Sequence, residues 1–190
     1  MLQQYLEAGR IVTTHGVRGE MKLEVWCDGP QQLRGVKTLW RGPGTGPLRV
    51  RSLRAAGQAA LLCLEGVDDL DAARALRGTV LYFDRAEAPL PAGRWFRADL
   101  IGCEVVDAHT GVCYGVVTDL QHPGPQDIYT VRTPAGSEYL LPGVPAFIHT
   151  QDPEHGRILV TPIPGLLDGD AAVEPPEPGA EEENEDGNAH

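Results

Sequence analysis

The fold of this chain is decided by the segment Gly9-Arg10-Ile11-Val12-Thr13-Thr14-His15-Gly16-Val17-Arg18-Gly19-Glu20. A β-branched run leads into a turn with a glycine at each end, and after the turn apolar residues alternate with charged ones through residues 21–25. Alternation of this kind predicts two half-buried strands. Because glycine adopts positive φ angles at little cost, we expect a fixed loop that displays His15 and Arg18.

Short apolar segments separated by turn residues continue through residues 1–85, which form the first predicted domain. Six segments at this spacing favour closure into a β-barrel. Residues 68–78 have a helical pattern, with acidic residues in the first turn and Gly78 at the end, and we expect this helix to buttress the barrel. The predicted strands are residues 5–13, 20–26, 37–41, 48–54, 59–65 and 79–83.

The amino-acid composition of the chain changes after the first domain. Residues 86–94 contain Pro89 and Pro91 and no hydrophobic periodicity, which indicates a short, stiff linker. Residues 95–168 again alternate apolar segments with short turns, so neighbouring strands should be antiparallel. We therefore expect an all-β chain whose second domain is another small barrel, closed or nearly closed. Its predicted strands are residues 101–107, 112–120, 127–133, 137–142 and 157–161.

Charge is distributed unevenly along the chain. The net charge is +3 over residues 1–85, −7 over residues 86–170 and −7 over residues 171–190. Residues 169–190 combine prolines and glutamates with almost no apolar surface to bury, so we expect a disordered acidic tail. Such a tail either competes with an anionic ligand for the cationic first domain or acts as a solubilising extension.

This chain contains two motifs that lie far apart in the sequence. The first is Gly9 followed, after five residues, by His15-Gly16-Val17-Arg18-Gly19-Glu20. The second starts at Trp95-Phe96-Arg97-Ala98-Asp99-Leu100-Ile101-Gly102 and closes with Gly165-Leu166-Leu167-Asp168. Together they resemble the ribosome maturation factor RimM family. This resemblance implies a six-stranded, translation-factor-like barrel that is followed by a PRC barrel.

The RimM resemblance also implies a function. It implies a non-catalytic assembly factor that binds small-subunit ribosomal protein nineteen, and 16S rRNA within the immature small subunit. Through these contacts the factor would assist folding and processing of 16S rRNA in the head of the subunit. The resemblance implies no cofactor, and we expect a monomer.

The contact with the ribosomal protein falls, by resemblance, on Trp95, Phe96, Arg97 and Asp99. The family pattern usually has tyrosine at the second aromatic position. Phe96 lacks that hydroxyl, which puts any hydrogen bond through a phenol in doubt. Because adjacent side chains of a strand point to opposite faces, an alternative for Phe96 is that its ring packs inside a barrel.

Cationic side chains of the first domain form the candidate surface for rRNA. In residues 48–51, alternation puts both arginines on one outward face. Arginine pairs with phosphate through two N–H groups and stacks on unpaired bases. The alternative is a solvated strand face without a partner. The candidate residues are His15, Arg18, Lys22, Arg49 and Arg51.

Several classes of protein find no support in the sequence. No apolar stretch approaches the roughly 20 residues of a membrane-spanning helix, and no signal peptide is recognisable, so we expect a cytoplasmic protein. The four cysteines are isolated, which argues against a disulfide framework or a zinc site. No motif typical of a catalytic centre occurs. The alternatives left open are an rRNA-processing or modifying enzyme and a barrel that docks passively on rRNA.

Overall fold

The computed structural model describes residues 2–121 and 126–161. Strands account for most of the regular structure in this part of the chain, which confirms the all-β class. The predicted acidic tail at residues 169–190 and the closing motif at residues 165–168 lie outside the described residues.

The chain divides into two compact units. Among the described residues, the first unit consists of residues 2–103 together with Gln151–Arg157, and the second consists of residues 104–121, 126–150 and 158–161. The turn that carries Trp95 therefore lies, by its contacts, in the first unit.

The first unit contains a closed, six-stranded barrel, as the spacing of the apolar segments predicts. Its strands follow one another around the barrel in the order β1-β2-β5-β4-β3-β6. Gly42 pairs with Thr45, so the turn between the third and fourth strands has only two residues. The strands are β1 (Tyr5–His15), β2 (Glu20–Val25), β3 (Thr38–Gly42), β4 (Thr45–Ala56), β5 (Ala59–Leu64) and β6 (Val80–Asp84).

A short helix, α1 (Leu70–Ala75), packs against β1 and β2. It begins later than the sequence pattern predicts because Asp69 is its N-cap, and the Asp69 carboxylate accepts hydrogen bonds from the N–H groups of the next turn. It also ends earlier. Gly78 has φ +85° and donates its N–H to the carbonyl of Ile11 at 2.7 Å, which directs the chain into β6.

The barrel interior is filled mainly by aliphatic side chains from alternate strand positions, together with Phe83 and with Leu33 from the β2–β3 connection. Ala73 of α1 is fully buried in the same cluster. These contacts supply most of the hydrophobic free energy of the first unit. The largest fully buried side chains of the cluster are Ile11, Met21, Leu23, Leu33, Leu39, Leu62, Leu64, Leu81 and Phe83.

The second six-stranded sheet has the order β10-β9-β8-β7-β12-β11. It follows α2 (Arg97–Leu100), a four-residue helix. The first predicted strand starts later than expected because Gly102 turns the chain at φ +90°. The strands are β7 (Glu104–Asp107), β8 (Cys113–Gln121), β9 (Ile128–Arg132), β10 (Glu138–Pro142), β11 (Ile148–Asp152) and β12 (Arg157–Val160).

A buried polar turn anchors the start of the second unit. Tyr114 donates its hydroxyl hydrogen to Asp107 at 2.8 Å, and the N–H groups of His109 and Thr110 donate to the same carboxylate at 2.7 and 2.9 Å. Burial raises the pKa of Asp107, but these hydrogen bonds outweigh it, so its pKa lies below the ordinary range. The carboxylate therefore stays ionised and holds the β7–β8 connection.

Candidate functional site

The loop between β1 and β2 is held in place by its two glycines. Gly16 and Gly19 have φ +67° and +77°. A Cβ atom on Gly19 would lie 2.1 Å from the carbonyl oxygen of Val67, so the loop is pressed against the segment before α1. Val17 is 72% exposed at the tip, and His15 and Arg18 beside it are also exposed. The loop thus presents its side chains from a fixed main chain.

Glu20 connects this loop to β4. Its carboxylate accepts hydrogen bonds from Arg54 at 3.1 and 3.2 Å and lies 3.7 Å from Nε2 of His15. The sequence places Arg54 among the cations around the barrel, although it is not one of the five candidate rRNA-facing residues. The sequence signal for it was its exposed position on the strand that carries Arg49 and Arg51, but only the structure shows that it reaches the loop.

Strand register places further cations beside this group. Lys22 and Arg54 both lie opposite Leu61 of β5, on either side of it. Arg51 forms an ion pair with Asp68 at 2.8 Å, directly after the residue that Gly19 approaches. Arg49 lies opposite Thr38 of β3, and no described contact connects it to the loop. We call the exposed set on the loop, β2 and β4 the cationic face: His15, Arg18, Lys22, Arg49, Arg51 and Arg54.

The members of the cationic face differ in whether an acid neutralises them. Arg51 and Arg54 form ion pairs with carboxylates. Among the described residues, Arg18, Lys22 and Arg49 have no ion pair, and all three are exposed. Their charges are therefore available to an anionic ligand.

The four predicted protein-binding residues do not share one environment. Trp95 and Arg97 are partly exposed, whereas Phe96 and Asp99 are buried. The Phe96 ring is 4% exposed and makes an edge contact with Phe83 of β6, with 5.7 Å between ring centroids. The structure thus has the arrangement that the sequence left as an alternative for Phe96, with its ring in a barrel core. We call residues 95–99 the aromatic turn.

Arg85 stabilises the aromatic turn through contacts with Asp99 and Phe96. Its Nη2 atom lies 2.7 Å from the Asp99 carboxylate, whose side chain is 2% exposed, and its guanidinium lies 5.4 Å from the Phe96 ring centroid. The same side chain donates to the carbonyl of Gln3 at 2.9 Å. Asp99 also accepts the N–H of Phe96 at 3.2 Å. Sequence reasoning missed Arg85, since its partners are distant along the chain.

The buried cysteine thiols have little chemical reactivity. Burial raises the pKa of the Cys27 thiol to about 12, with a further contribution from Asp28, and burial also raises the pKa of Cys103. Both thiols stay protonated at neutral pH, which makes them poor nucleophiles. Within residues 2–121 and 126–161 there is no group of three potential metal ligands and no helix long and apolar enough to cross a membrane.

Comparison with known proteins gives a consistent result. Residues 6–88 match a family model described as the RimM N-terminal domain, and residues 97–166 match one described as the RimM PRC barrel domain. A Frankia alni protein is 40% identical over 174 residues, which are 85% of this chain and 96% of the relative. A Symbiobacterium thermophilum protein is 38% identical over 168 residues, covering 86% and 94%. A Lactobacillus helveticus protein is 34% identical over 172 residues, covering 88% and 99%. All three are named ribosome maturation factor RimM.

Proposed function

This chain belongs to the RimM family, and from that membership we propose that it is a maturation factor for the small ribosomal subunit. It assists the folding and processing of 16S rRNA in the head of the subunit. It does so in the cytoplasm, as a monomer, by binding and without catalysing a reaction. The observation that carries the proposal is that both RimM domains occur, in order, at residues 6–88 and 97–166 of one chain.

We assign the cationic face to 16S rRNA. Three of its side chains, those of Arg18, Lys22 and Arg49, have no acidic partner among the described residues, so phosphate groups can neutralise them. Arginine also stacks on unpaired bases, which are the usual targets of sequence-specific RNA recognition. With few unpaired cations, affinity for isolated RNA should be weak and sensitive to salt.

We assign the aromatic turn to small-subunit ribosomal protein nineteen. Trp95 and Arg97 remain partly exposed there, and tryptophan and arginine are the residue types that most often dominate the binding energy of protein interfaces. Phe96 and Asp99 contribute by fixing the turn, since both are buried. This division of roles refines the four residues that the resemblance implies.

A factor of this kind needs only to bind the immature and the finished subunit head with different affinities. If it binds the immature arrangement of the subunit head more tightly than the finished one, it shifts the population toward the productive folding path. Completion of the head then weakens the contacts and releases the factor. Nucleotide hydrolysis is not required for this cycle.

Depletion of the protein in its own cells tests the proposal. We expect 16S rRNA precursors and immature small subunits to accumulate, measured by primer extension and sucrose-gradient sedimentation. Complementation with the wild-type chain should restore maturation, whereas a chain with Trp95→Ala should restore it only partly. Normal maturation after depletion would instead support a barrel that docks passively on rRNA. Turnover of labelled precursor rRNA by the purified protein alone would support the enzyme alternative.

A further inference from the structure

Among the described residues, Val17 is the most exposed large apolar residue, at 72%. It lies at the tip of the loop between His15 and Glu20, which are the last paired residues of β1 and β2. Single exposed apolar residues are common, so the significance of Val17 depends on how its main chain is held and on which side chains surround it.

The main chain on both sides of Val17 is fixed. Gly16 and Gly19 have positive φ angles, and a Cβ atom on Gly19 would lie 2.1 Å from the carbonyl oxygen of Val67. The pairing of His15 with Glu20 closes the loop at its base. A side chain on a loop that is already ordered loses little conformational entropy when a partner covers it, so most of the contact energy is available for binding.

The side chains around Val17 are polar or cationic. The His15 side chain is 57% exposed, and Arg18 and Lys22 are exposed and have no ion pair among the described residues. One apolar side chain among cations does not suit the core of a protein interface, which is depleted in charged residues. It does suit a single nucleobase, because the face of a base is apolar and phosphates lie beside it.

We propose that Val17 packs on the face of an unpaired base of 16S rRNA while Arg18 binds a neighbouring phosphate. The cationic face then binds RNA that contains an unpaired loop more tightly than a continuous duplex. The inference rests on the proposed function, because the RNA is the one assigned to the cationic face. It adds an apolar contact through which the protein distinguishes unpaired from paired RNA.

The preference for unpaired RNA follows from the chemistry of valine. In an A-form duplex the faces of the bases are stacked on one another, and the major groove is too deep and narrow for side chains to enter. The minor groove is shallow and displays 2′-hydroxyl groups, with which an aliphatic side chain forms no hydrogen bond. Only a base that has left the stack therefore offers Val17 an apolar surface.

The test compares the affinities of the full-length chain for two RNAs, measured by fluorescence anisotropy at one salt concentration. The first is a hairpin from the 16S rRNA head with an unpaired loop, and the second is a continuous duplex with the same number of phosphates. We expect the wild type to bind the hairpin about fivefold more tightly. Val17→Ser should weaken hairpin binding about fivefold and leave duplex binding unchanged. Val17→Ile, which keeps the apolar contact, should retain the preference.

Two control variants separate the apolar contact from charge and from apolar exposure in general. Arg18→Ala should weaken the binding of both RNAs, because both carry phosphates. Leu140→Ser should change neither affinity, since Leu140 is 59% exposed on β10 and belongs to neither the cationic face nor the aromatic turn. Thermal unfolding shows whether each variant is folded, and Val17→Thr, which has nearly the shape of valine, replaces Val17→Ser should that variant unfold.

The outcomes separate this inference from the proposed function. If the wild type binds both RNAs equally tightly, or if Val17→Ser weakens both alike, the inference is wrong and the assignment of the cationic face to rRNA stands. If Val17→Ser weakens binding to small-subunit ribosomal protein nineteen and not to the hairpin, the loop tip contacts protein and the inference is also wrong. If the wild type binds neither RNA, the inference and the assignment of the cationic face both fail.

Discussion

Gly9 and Gly19 are both positions where the main chain passes too close to a neighbouring carbonyl for any side chain. A Cβ atom on Gly9 would lie 1.9 Å from the carbonyl oxygen of Glu24, and one on Gly19 would lie 2.1 Å from that of Val67. The first contact lies where Gly9 pairs with Val25 of β2, next to an irregularity in the pairing of β1 with β6. The second fixes the loop of the cationic face. The glycines of the first motif therefore have a structural cause that precedes any contact with RNA.

Replacement of Gly19 by alanine tests the second contact. We expect Gly19→Ala to lower the free energy of unfolding by about 2 kcal/mol or more, because the residue keeps a positive φ and the new methyl group meets a backbone carbonyl. Gly16→Ala is the matched control. Gly16 has a similar φ of +67° but nothing within 4 Å of the added atom, so this variant should lose only about 1 kcal/mol. Urea denaturation gives both values, and equal losses would show that the approach to Val67 is unimportant.

The aromatic turn illustrates how a short element depends on its surroundings. Four residues of α2 are too few for a helix that is stable by itself. Its first N–H groups are satisfied instead by Asp28 and Asp99, and Phe96 packs on the barrel core. The turn is thus defined by tertiary contacts, and Arg85 makes two of them, with Asp99 and with the Phe96 ring.

Removal of the Arg85 cation should therefore destabilise the first unit strongly. Arg85→Gln leaves the Asp99 carboxylate buried without its ion pair, and such a loss typically costs about 3 kcal/mol. Arg74→Gln is the control, since its ion pair with Asp71 is exposed and should contribute about 0.5 kcal/mol or less. The double variant Arg85→Gln with Asp99→Asn should be more stable than the sum of the single losses predicts. If Arg85→Gln cost no more than Arg74→Gln in urea denaturation, the ion pair would not hold the turn.

The difference between local patterns and contacts between distant residues explains which elements could be predicted from the sequence. Strands β1 and β2 were predicted because alternation of buried and exposed residues is a local property, visible in neighbouring letters. Strand β11 was not predicted, because it is an edge strand with the partly buried pattern of Ile148–Asp152 and no clear period of two. Helix α2 and the role of Arg85 were missed since both depend on residues far apart in the chain. The exposure of Arg49 and Arg51 was predicted from alternation and that of His15 and Arg18 from the glycine turn, whereas the ion pairs of Arg51 and Arg54 depend on contacts between distant residues.

The two parts of the chain carry opposite net charge, and this affects how the whole molecule binds to a ribosomal particle. The net charge is +3 over residues 1–85 and −7 over residues 86–170. Phosphate attracts the first part and repels the second, while a basic protein does the reverse. A chain built this way should orient itself between RNA and protein, and its affinity for RNA alone should reflect only the few unpaired cations of the cationic face.

Salt dependence measures how many of those cations meet phosphate. For the full-length chain and a fragment of the 16S rRNA head, log Kd should rise linearly with log salt concentration, and each of Arg18→Ala, Lys22→Ala and Arg49→Ala should lower the slope by about 0.7. Arg51→Ala should lower it less, because Asp68 already neutralises that guanidinium at 2.8 Å. Arg74→Ala on α1, whose ion pair lies outside the cationic face, should leave the slope unchanged. The measurement is fluorescence anisotropy over a salt series. Equal slopes in all five variants and the wild type would show that rRNA does not bind through the cationic face. If rRNA did bind there, each lost phosphate contact would reduce the number of counterions released and so lower the slope.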